Sequence, residues 1–261
     1  MELATNAKTT HLTSMRGDGH NRTLIALSGG LESTATAYKR LAETDDEIWI
    51  MHLKIMRGHT DRHNMEIDAL DKIIPWLKEN TRDFNVLPYI EVVTPSVIPG
   101  DFPDIDSTKG TKFNYGIVLD HDVVAIYGAW WAKRLLVDKF LCGRSETEDS
   151  TLKGRLYNQS AHAIFVAACL GWPVVQEWPL RIFKKRDIVK MLPLELYDMI
   201  VSCRFPEKQD DDTWKTCGYC PACLRNWEAT ESKHPDVTTE ELIARHANGT
   251  LFELMDYDDK I

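Results

Sequence analysis

A short segment of small and polar residues, Ser28-Gly29-Gly30-Leu31-Glu32-Ser33, has the residue types of a loop that binds a phosphate group. It follows an apolar run at residues 23–27, which predicts a strand. It precedes a segment whose apolar residues, from Leu31 to Leu41, recur every three or four positions and predict a helix. Glycine lets the backbone approach an anion closely, and the free N–H groups at the start of a helix point toward that anion. The segment therefore predicts an anion site at a strand–helix junction.

Two common patterns of phosphate-binding loops are missing from this region, which limits the kinds of loop that it could form. Neither Gly-x-x-x-x-Gly-Lys-Ser/Thr nor Gly-x-Gly-x-x-Gly occurs there, which disfavours a kinase-type or dinucleotide-binding loop. The segment resembles the Ser-Gly-Gly-x-Asp-Ser loop of the ATP pyrophosphatase (PP-loop) superfamily, whose members release pyrophosphate from ATP and adenylate an oxygen of their substrate. Glu32 stands at the aspartate position, where a carboxylate would help to hold magnesium. From these six residues alone, a turn that only caps a helix is an equal alternative.

Four cysteines near the C-terminal end form a second motif. Cys203, Cys217, Cys220 and Cys223 are spaced C-x13-C-x2-C-x2-C, and each C-x2-C step lets a tight turn aim two sulfurs at one ion. The pattern predicts a tetrahedral zinc site, with an iron–sulfur cluster or a disulfide framework as less favoured alternatives. Four thiolates leave no open position for a reacting water, so we expect the zinc to hold residues 202–225 in place and not to catalyse.

The composition is that of a soluble cytoplasmic enzyme. The chain has 261 residues, 43% apolar and 27% charged, which is enough to bury one sizeable core. Its net charge of −9 disfavours a nucleic-acid surface and favours a small-molecule substrate, although the basic segment 181–186 could bind an anion. No apolar run is long enough to span a membrane, and residues 1–22 are expected to form a flexible tail. Cys142 and Cys169 lie in apolar segments and are interpreted as core residues.

Alternating strand and helix patterns predict an α/β fold, a Rossmann-like parallel sheet flanked by helices with a C-terminal zinc-binding subdomain. We expect the ATP-binding domain to span residues 23–195 and the helical zinc-binding region to span residues 196–261. The predicted strands are 23–27, 47–54, 85–93, 139–142 and 173–177, and the predicted helices after the first are 61–80, 114–136 and 157–170. Prolines and glycines mark a long loop at residues 94–112.

Ligands bind such sheets beyond the carboxyl ends of the strands, where strand order reverses. This rule brings the loop after the first strand close to the segment that follows the fourth strand. Four charged residues in and after that segment are candidates for substrate contact, namely Arg144, Glu148, Asp149 and Arg155. A solvated charged loop is the alternative.

The loop and the cysteine motif together resemble the 7-cyano-7-deazaguanine synthases, the QueC family. Three segments between them, at residues 178–180, 185–189 and 201–203, resemble the family's Pro-Leu, Lys-x-Glu-Ile-Val and Ser-Cys run into its zinc site. The segment His63-Asn64-Met65-Glu66 resembles its His-x-x-Glu motif. The resemblance covers residues 23–228.

The resemblance implies an adenine nucleotide alpha hydrolase-like fold and an ATP-dependent ligase that turns a carboxylate into a nitrile. The substrates would be 7-carboxy-7-deazaguanine, ammonia and ATP with Mg²⁺, and the enzyme would form a homodimer. Pyrophosphate would lie on residues 28–33, with Ser28 and Lys185 as catalytic residues. Lys185 and Arg144 would contact carboxylate or phosphate groups, and Glu148 or Asp149 would bind the guanine-like edge. An ordinary surface lysine is the alternative for Lys185.

Three rival functions stay open at this point. A related ligase would stop at the amide or join another amine to the same acid. A tRNA-thiolating enzyme would need a free catalytic cysteine and a basic surface, which the net charge disfavours. A non-catalytic nucleotide-binding protein would follow if Glu32 had disrupted the magnesium geometry.

Overall fold

The structure is a computed structural model of the chain and describes residues 21–56, 60–93, 120–145, 171, 174–218 and 220–230. Several predicted features lie outside these residues. They are the long loop at 94–112, the helix at 157–170, Cys169, and the tail up to residue 20.

Nine strands and six helices are present in the described residues. The strands are β1 Arg22–Ala26, β2 Glu47–Met51, β3 Leu53–Met56, β4 Asn85–Val86, β5 Ile90–Val93, β6 Lys139–Leu141, β7 Val175–Glu177, β8 Glu207–Lys208 and β9 Trp214–Lys215. The helices are α1 Leu31–Glu43, α2 Thr60–Asn80, α3 Asp120–Leu135, α4 Lys185–Lys190, α5 Leu194–Tyr197 and α6 Pro221–Thr230.

A five-stranded parallel sheet with the order β4-β2-β1-β6-β7 forms the centre of the fold. The chain builds outward from β1 to β2 and β4, and then returns to the other side of β1 to form β6 and β7. Strand order therefore reverses between β1 and β6, where the loops after these two strands meet. The predicted α/β class with a parallel sheet is confirmed.

Two of the predicted strands are wrong in length because each is broken in the structure. The segment 47–54 divides at His52 into β2 and β3, and the segment 85–93 divides around Pro88 into β4 and β5. Proline has no N–H to donate to a neighbouring strand. After the break, β3 and β5 pair in a separate two-stranded parallel sheet.

The first strand begins at Arg22, a residue assigned to the tail from the sequence. Its backbone N–H donates to the Asp138 carboxylate at 3.2 Å, and its guanidinium pairs with Glu47 at 2.7 Å. These contacts anchor the start of β1 to both neighbouring strands. Helix α3 was predicted to begin at residue 114 and is seen from Asp120, since residues 114–119 are outside the described part of the chain.

The apolar core lies on both faces of the central sheet. Leu24 and Ile25 are adjacent on β1 and point to opposite faces, and both are fully buried. Ile25 packs in a cluster with residues of α1 and α2, whereas Leu24 packs with Phe140 and residues of α3. Burying each such side chain contributes roughly 1.5–3 kcal/mol. The core thus fixes β1 as the central strand of the sheet, and with it the start of the loop that follows.

Cys142 is partly buried against the α3 cluster, as expected for a core residue. Desolvation raises the pKa of its thiol to about 11. No helix in the described part of the chain is long and apolar enough to cross a membrane.

Candidate functional site

The loop after β1 is closed on itself by the hydroxyl of Ser33. This oxygen accepts a hydrogen bond from the Ser28 backbone N–H at 3.1 Å, lies 3.0 Å from Ser28 Oγ, and donates to the Gly30 carbonyl at 3.1 Å. Gly30 is the N-cap of α1 and makes no side-chain hydrogen bond there. Its backbone carbonyl accepts the Thr34 N–H at 3.0 Å, so the turn leads directly into the first turn of the helix.

Gly29 adopts a conformation that favours glycine, with φ of +77°. A side chain at this position would contact Ala69 of α2 at 3.4 Å and Val201 at 3.6 Å. The Gly29 carbonyl accepts a hydrogen bond from the Val201 backbone N–H at 3.0 Å. The loop is thus held from behind by two segments that are distant in sequence.

Glu32, in the first turn of α1, joins the loop to two further segments. Its Oε1 atom lies 3.1 Å from Lys185 Nζ and accepts a hydrogen bond from Ser145 Oγ at 3.2 Å. The Lys185 side chain is 8% exposed and that of Glu32 13% exposed. Lys185 is therefore buried in an ion pair, contrary to the alternative of an ordinary surface lysine.

The loop after β6 packs tightly against the first turn of α1. A Cβ atom placed on Gly143 would lie 2.3 Å from the Ser33 backbone nitrogen, so only glycine fits this contact. Arg144 and Ser145 follow it and are both buried. The structure thereby brings Arg144, Lys185 and the serine–glycine loop into one region, whereas the other predicted substrate residues, Glu148, Asp149 and Arg155, lie outside the described residues.

A buried histidine supports the loop and had no signal in the sequence beyond its place at the end of a strand. His52 Nδ1 lies 2.9 Å from the Leu27 carbonyl oxygen. A carbonyl only accepts, so Nδ1 carries the hydrogen and Nε2 is the bare nitrogen of the neutral ring. Burial lowers the pKa of His52. The neutral ring thus holds the last peptide before Ser28.

The His-x-x-Glu segment on α2 forms a buried charged group close to the same loop. His63 Nδ1 lies 3.6 Å from Glu66 Oε2, and Arg62 Nε lies 3.0 Å from Glu66 Oε1. Burial would raise the pKa of Glu66, but the Arg62 charge and the interaction with His63 outweigh it, and the net pKa is lowered. Glu66 is therefore an ionised carboxylate. Its backbone carbonyl oxygen would lie 3.5 Å from a Cβ atom placed on Gly29, so Glu66 is next to the loop.

The four cysteines converge as predicted. Their sulfur atoms all lie within 4.8 Å of one another, and Cys203, Cys220 and Cys223 are buried. In a tetrahedral zinc site with bonds of about 2.3 Å, the sulfurs are roughly 3.8 Å apart, so the cluster fits one ion. None of these cysteines forms a disulfide.

The polar environment of the sulfurs also fits bound metal. Backbone N–H groups donate hydrogen bonds to three of the sulfurs. The Cys203 sulfur accepts from the Phe205 N–H at 3.4 Å and from the Cys217 N–H at 3.2 Å. The Cys220 sulfur accepts from the Arg204 N–H at 3.4 Å. The Cys220 N–H donates to Cys217 at 3.4 Å. Such donors stabilise thiolates, the form that binds metal.

The segment between the first two cysteines is a hairpin attached to α2. Strands β8 and β9 pair antiparallel, and residues 207–212, four of which are acidic, form β8 and the turn. Trp214 of β9 donates its indole N–H to Asp68 at 2.8 Å. Met65 of α2 packs directly against the cysteines. The cysteine cluster therefore sits on the same helix that supports the serine–glycine loop.

A parallel sheet with a serine–glycine loop at the reversal of strand order defines an α/β protein of the nucleotide-utilising class. A family model described as "Queuosine biosynthesis protein QueC" matches residues 22–233. The chain belongs to the QueC family, whose members act on small-molecule substrates. This membership supports a PP-loop enzyme that uses ATP.

Solved structures show a more distant similarity. The U34-tRNA thiolase NcsA from Methanococcus maripaludis with its [4Fe-4S] cluster is 13% identical, with 98% of this chain and 79% of that chain covered and a TM-score of 0.41. No curated protein sequence shows a significant match.

The close contact at Gly143 predicts that Gly143→Ala will disturb the loop. The added methyl group would overlap the backbone of α1, which cannot move without moving the loop, so we expect a loss of about 1–3 kcal/mol in the free energy of unfolding and weaker Mg·ATP binding. Urea denaturation and isothermal titration calorimetry measure the two effects. Gly30→Ala is the matched control for stability, because its nearest contacts would be 3.4 and 3.6 Å away. Equal unfolding curves for both variants would contradict the prediction.

The lowered pKa of His52 predicts a pH dependence of stability. Below its ordinary pKa of 6.5, His52 takes up a proton in the unfolded chain but resists protonation in the folded chain. The free energy of unfolding should therefore fall as the pH drops from 6.5 to 5. His52→Asn keeps an N–H donor but does not titrate, so the fall should be smaller in this variant. Parallel stability curves for the two proteins between pH 5 and 7.5 would refute this assignment.

Proposed function

We propose that this chain converts 7-carboxy-7-deazaguanine and ammonia into 7-cyano-7-deazaguanine at the expense of ATP. The observation that carries the proposal is the convergence of Lys185 with the serine–glycine loop in a chain of the QueC family. A buried ammonium next to a serine–glycine loop at the start of a helix is suited to bind the phosphates of ATP. A loop that served only to turn the chain would not need this cation.

The reaction uses two adenylation steps. The carboxylate oxygen attacks the α-phosphorus of ATP and releases pyrophosphate, giving an acyl adenylate. Ammonia attacks the acyl carbon, AMP leaves, and the nitrogen loses a proton to give the amide. The amide oxygen then attacks the α-phosphorus of a second ATP and releases a second pyrophosphate, and loss of AMP and two protons from the adenylated amide leaves the nitrile.

The chain's own residues would bind and orient these reactants. The backbone N–H groups of residues 28–33 and the Ser28 hydroxyl would bind the departing pyrophosphate, and the Lys185 ammonium would neutralise its growing charge. Mg²⁺ bound with ATP would add positive charge at the same phosphates. For the substrate, we assign Arg144 to the carboxylate and Glu148 or Asp149 to the guanine-like edge, with Arg155 as a further substrate contact.

The cysteine cluster would hold zinc as a structural ion. Cys203, Cys217, Cys220 and Cys223 offer four sulfurs and leave no ligand position for substrate. When bound, the ion would supply a cross-link between the hairpin and α6 and no catalytic chemistry. Val201 lies two residues before Cys203 and bonds to Gly29, so the order of the cluster would extend to the ATP loop.

The proposed function predicts an enzymatic activity that depends on Ser28 and Lys185. Purified protein with Mg·ATP, ammonium and 7-carboxy-7-deazaguanine should release AMP and form a product of nitrile mass. Ser28→Ala and Lys185→Ala should each lower kcat/KM on the order of 100-fold, because both residues bind charge that grows in the transition state. Lys39→Ala is the matched control, since Lys39 is exposed and pairs with Glu43 at the C-terminal end of α1, two turns away from the loop.

Three other results of this assay would change the proposed function or the role of Lys185. AMP with only the amide would identify a ligase that stops after the first adenylation. Mg·ATP binding without AMP release would identify a non-catalytic nucleotide-binding protein. Full activity of Lys185→Ala would contradict the role assigned to this lysine.

The metal assignment predicts that Cys217→Ser will reduce both metal content and stability. Structural zinc sites contribute on the order of ten kcal/mol to folding, so loss of one ligand should remove a large share of the stability. Elemental analysis measures bound zinc and iron, and urea denaturation measures the free energy of unfolding. Cys142→Ser is the matched control, because Cys142 lies outside the cluster. Iron in place of zinc, or equal metal content in both variants, would overturn the zinc assignment.

A further inference from the structure

We propose that Glu32 acts as a positioning residue, which holds Lys185 and Ser145 at the ATP loop instead of ligating magnesium. This inference rests on the proposed function, because it concerns how the same loop binds ATP. It also explains why glutamate stands where the PP-loop pattern has aspartate.

The contacts of Glu32 leave it engaged with protein groups. Its Oε1 atom meets both the Lys185 ammonium at 3.1 Å and the Ser145 hydroxyl at 3.2 Å. Ser145 is fully buried and Lys185 nearly so. A buried ammonium that lost its carboxylate would be left without compensation, which is strongly unfavourable. The ion pair therefore holds Lys185 in one position before any nucleotide arrives.

The length of the glutamate side chain matches a distance that the backbone sets. Gly143 packs against the backbone of Glu32 and Ser33 with no room for a methyl group, so the loop that carries Ser145 cannot move closer to α1. Aspartate would withdraw the carboxylate by about 1.5 Å, one carbon–carbon bond. From contacts of 3.1 and 3.2 Å, this withdrawal would break the hydrogen bond or the ion pair. Glutamate reaches both partners across this fixed gap.

The ion pair also argues against a direct magnesium ligand. A carboxylate binds a divalent cation through its negative charge, and Lys185 already neutralises that charge. Binding of Mg²⁺ to Glu32 would bring two cations to one carboxylate. We therefore expect the magnesium of Mg·ATP to bind mainly through the phosphates, with Lys185 oriented toward them by Glu32.

A double-mutant cycle tests the inference through Mg·ATP binding, measured by isothermal titration calorimetry. Glu32→Gln and Lys185→Ala should each weaken binding at least tenfold, and the double variant should bind no more weakly than Lys185→Ala alone. Such non-additivity is expected when one residue acts through the other. Glu32→Asp keeps the negative charge but has a shorter side chain, and it should weaken Mg·ATP binding about as much as Glu32→Gln.

A magnesium titration separates positioning from ligation. At fixed ATP, the Mg²⁺ concentration for half-maximal binding should be the same for the wild type and Glu32→Gln. The matched control is the exposed pair on the same helix, Lys39 and Glu43, which are 2.6 Å apart. Lys39→Ala and Glu43→Gln should leave Mg·ATP binding unchanged, alone and together. Unfolding curves confirm that each variant is folded.

Three outcomes would overturn the inference. Additive losses in the double variant, together with a raised Mg²⁺ requirement in Glu32→Gln, would make Glu32 a metal ligand. Wild-type affinity in Glu32→Gln, or full binding by Glu32→Asp, would remove the positioning role while the proposed function stood. Absence of Mg·ATP binding by the wild type would overturn the proposed function itself.

Discussion

The parallel pairing of β1 with β6 is the constraint on which the candidate site depends. Residues Thr23 to Ile25 pair with residues Lys139 to Leu141, so two strands more than a hundred positions apart end side by side. The loop after each strand must then share the same space. Gly143 allows that approach because it has no side chain. Its contact with Ser33 fixes how close the loop after β6 lies to the first turn of α1.

Buried charged side chains are the second feature of the site. The free-energy cost of removing them from water must be offset by pairing with opposite charges. Glu32 with Lys185, and Glu66 with Arg62, place carboxylates and cations in largely buried positions next to the loop. Such pairs contribute little net stability, since desolvation opposes their attraction. What they supply is orientation, because a paired side chain is held in one position and would lose less freedom on binding a ligand.

The cysteine cluster and the serine–glycine loop are parts of one structure, although they lie far apart in sequence. Helix α2 contacts both, through Ala69 beside Gly29 and through Met65 beside the cysteines. Val201 makes the most direct connection, with its N–H on the Gly29 carbonyl and Cys203 two residues later. A cross-link at the cysteines would therefore restrict the backbone behind the loop.

The sequence by itself determined the features that depend on neighbouring residues: the serine–glycine turn before a helix, the cysteine spacing and the alternation of strands and helices. It did not determine the break at His52, whose ring hydrogen-bonds to the carbonyl of Leu27, just after the neighbouring strand β1. Nor did it settle whether Lys185 was a surface lysine, because its partner Glu32 lies over 150 positions away. Only tertiary structure decided these points, since a buried charge or a bent strand is stabilised by groups that meet when the chain folds.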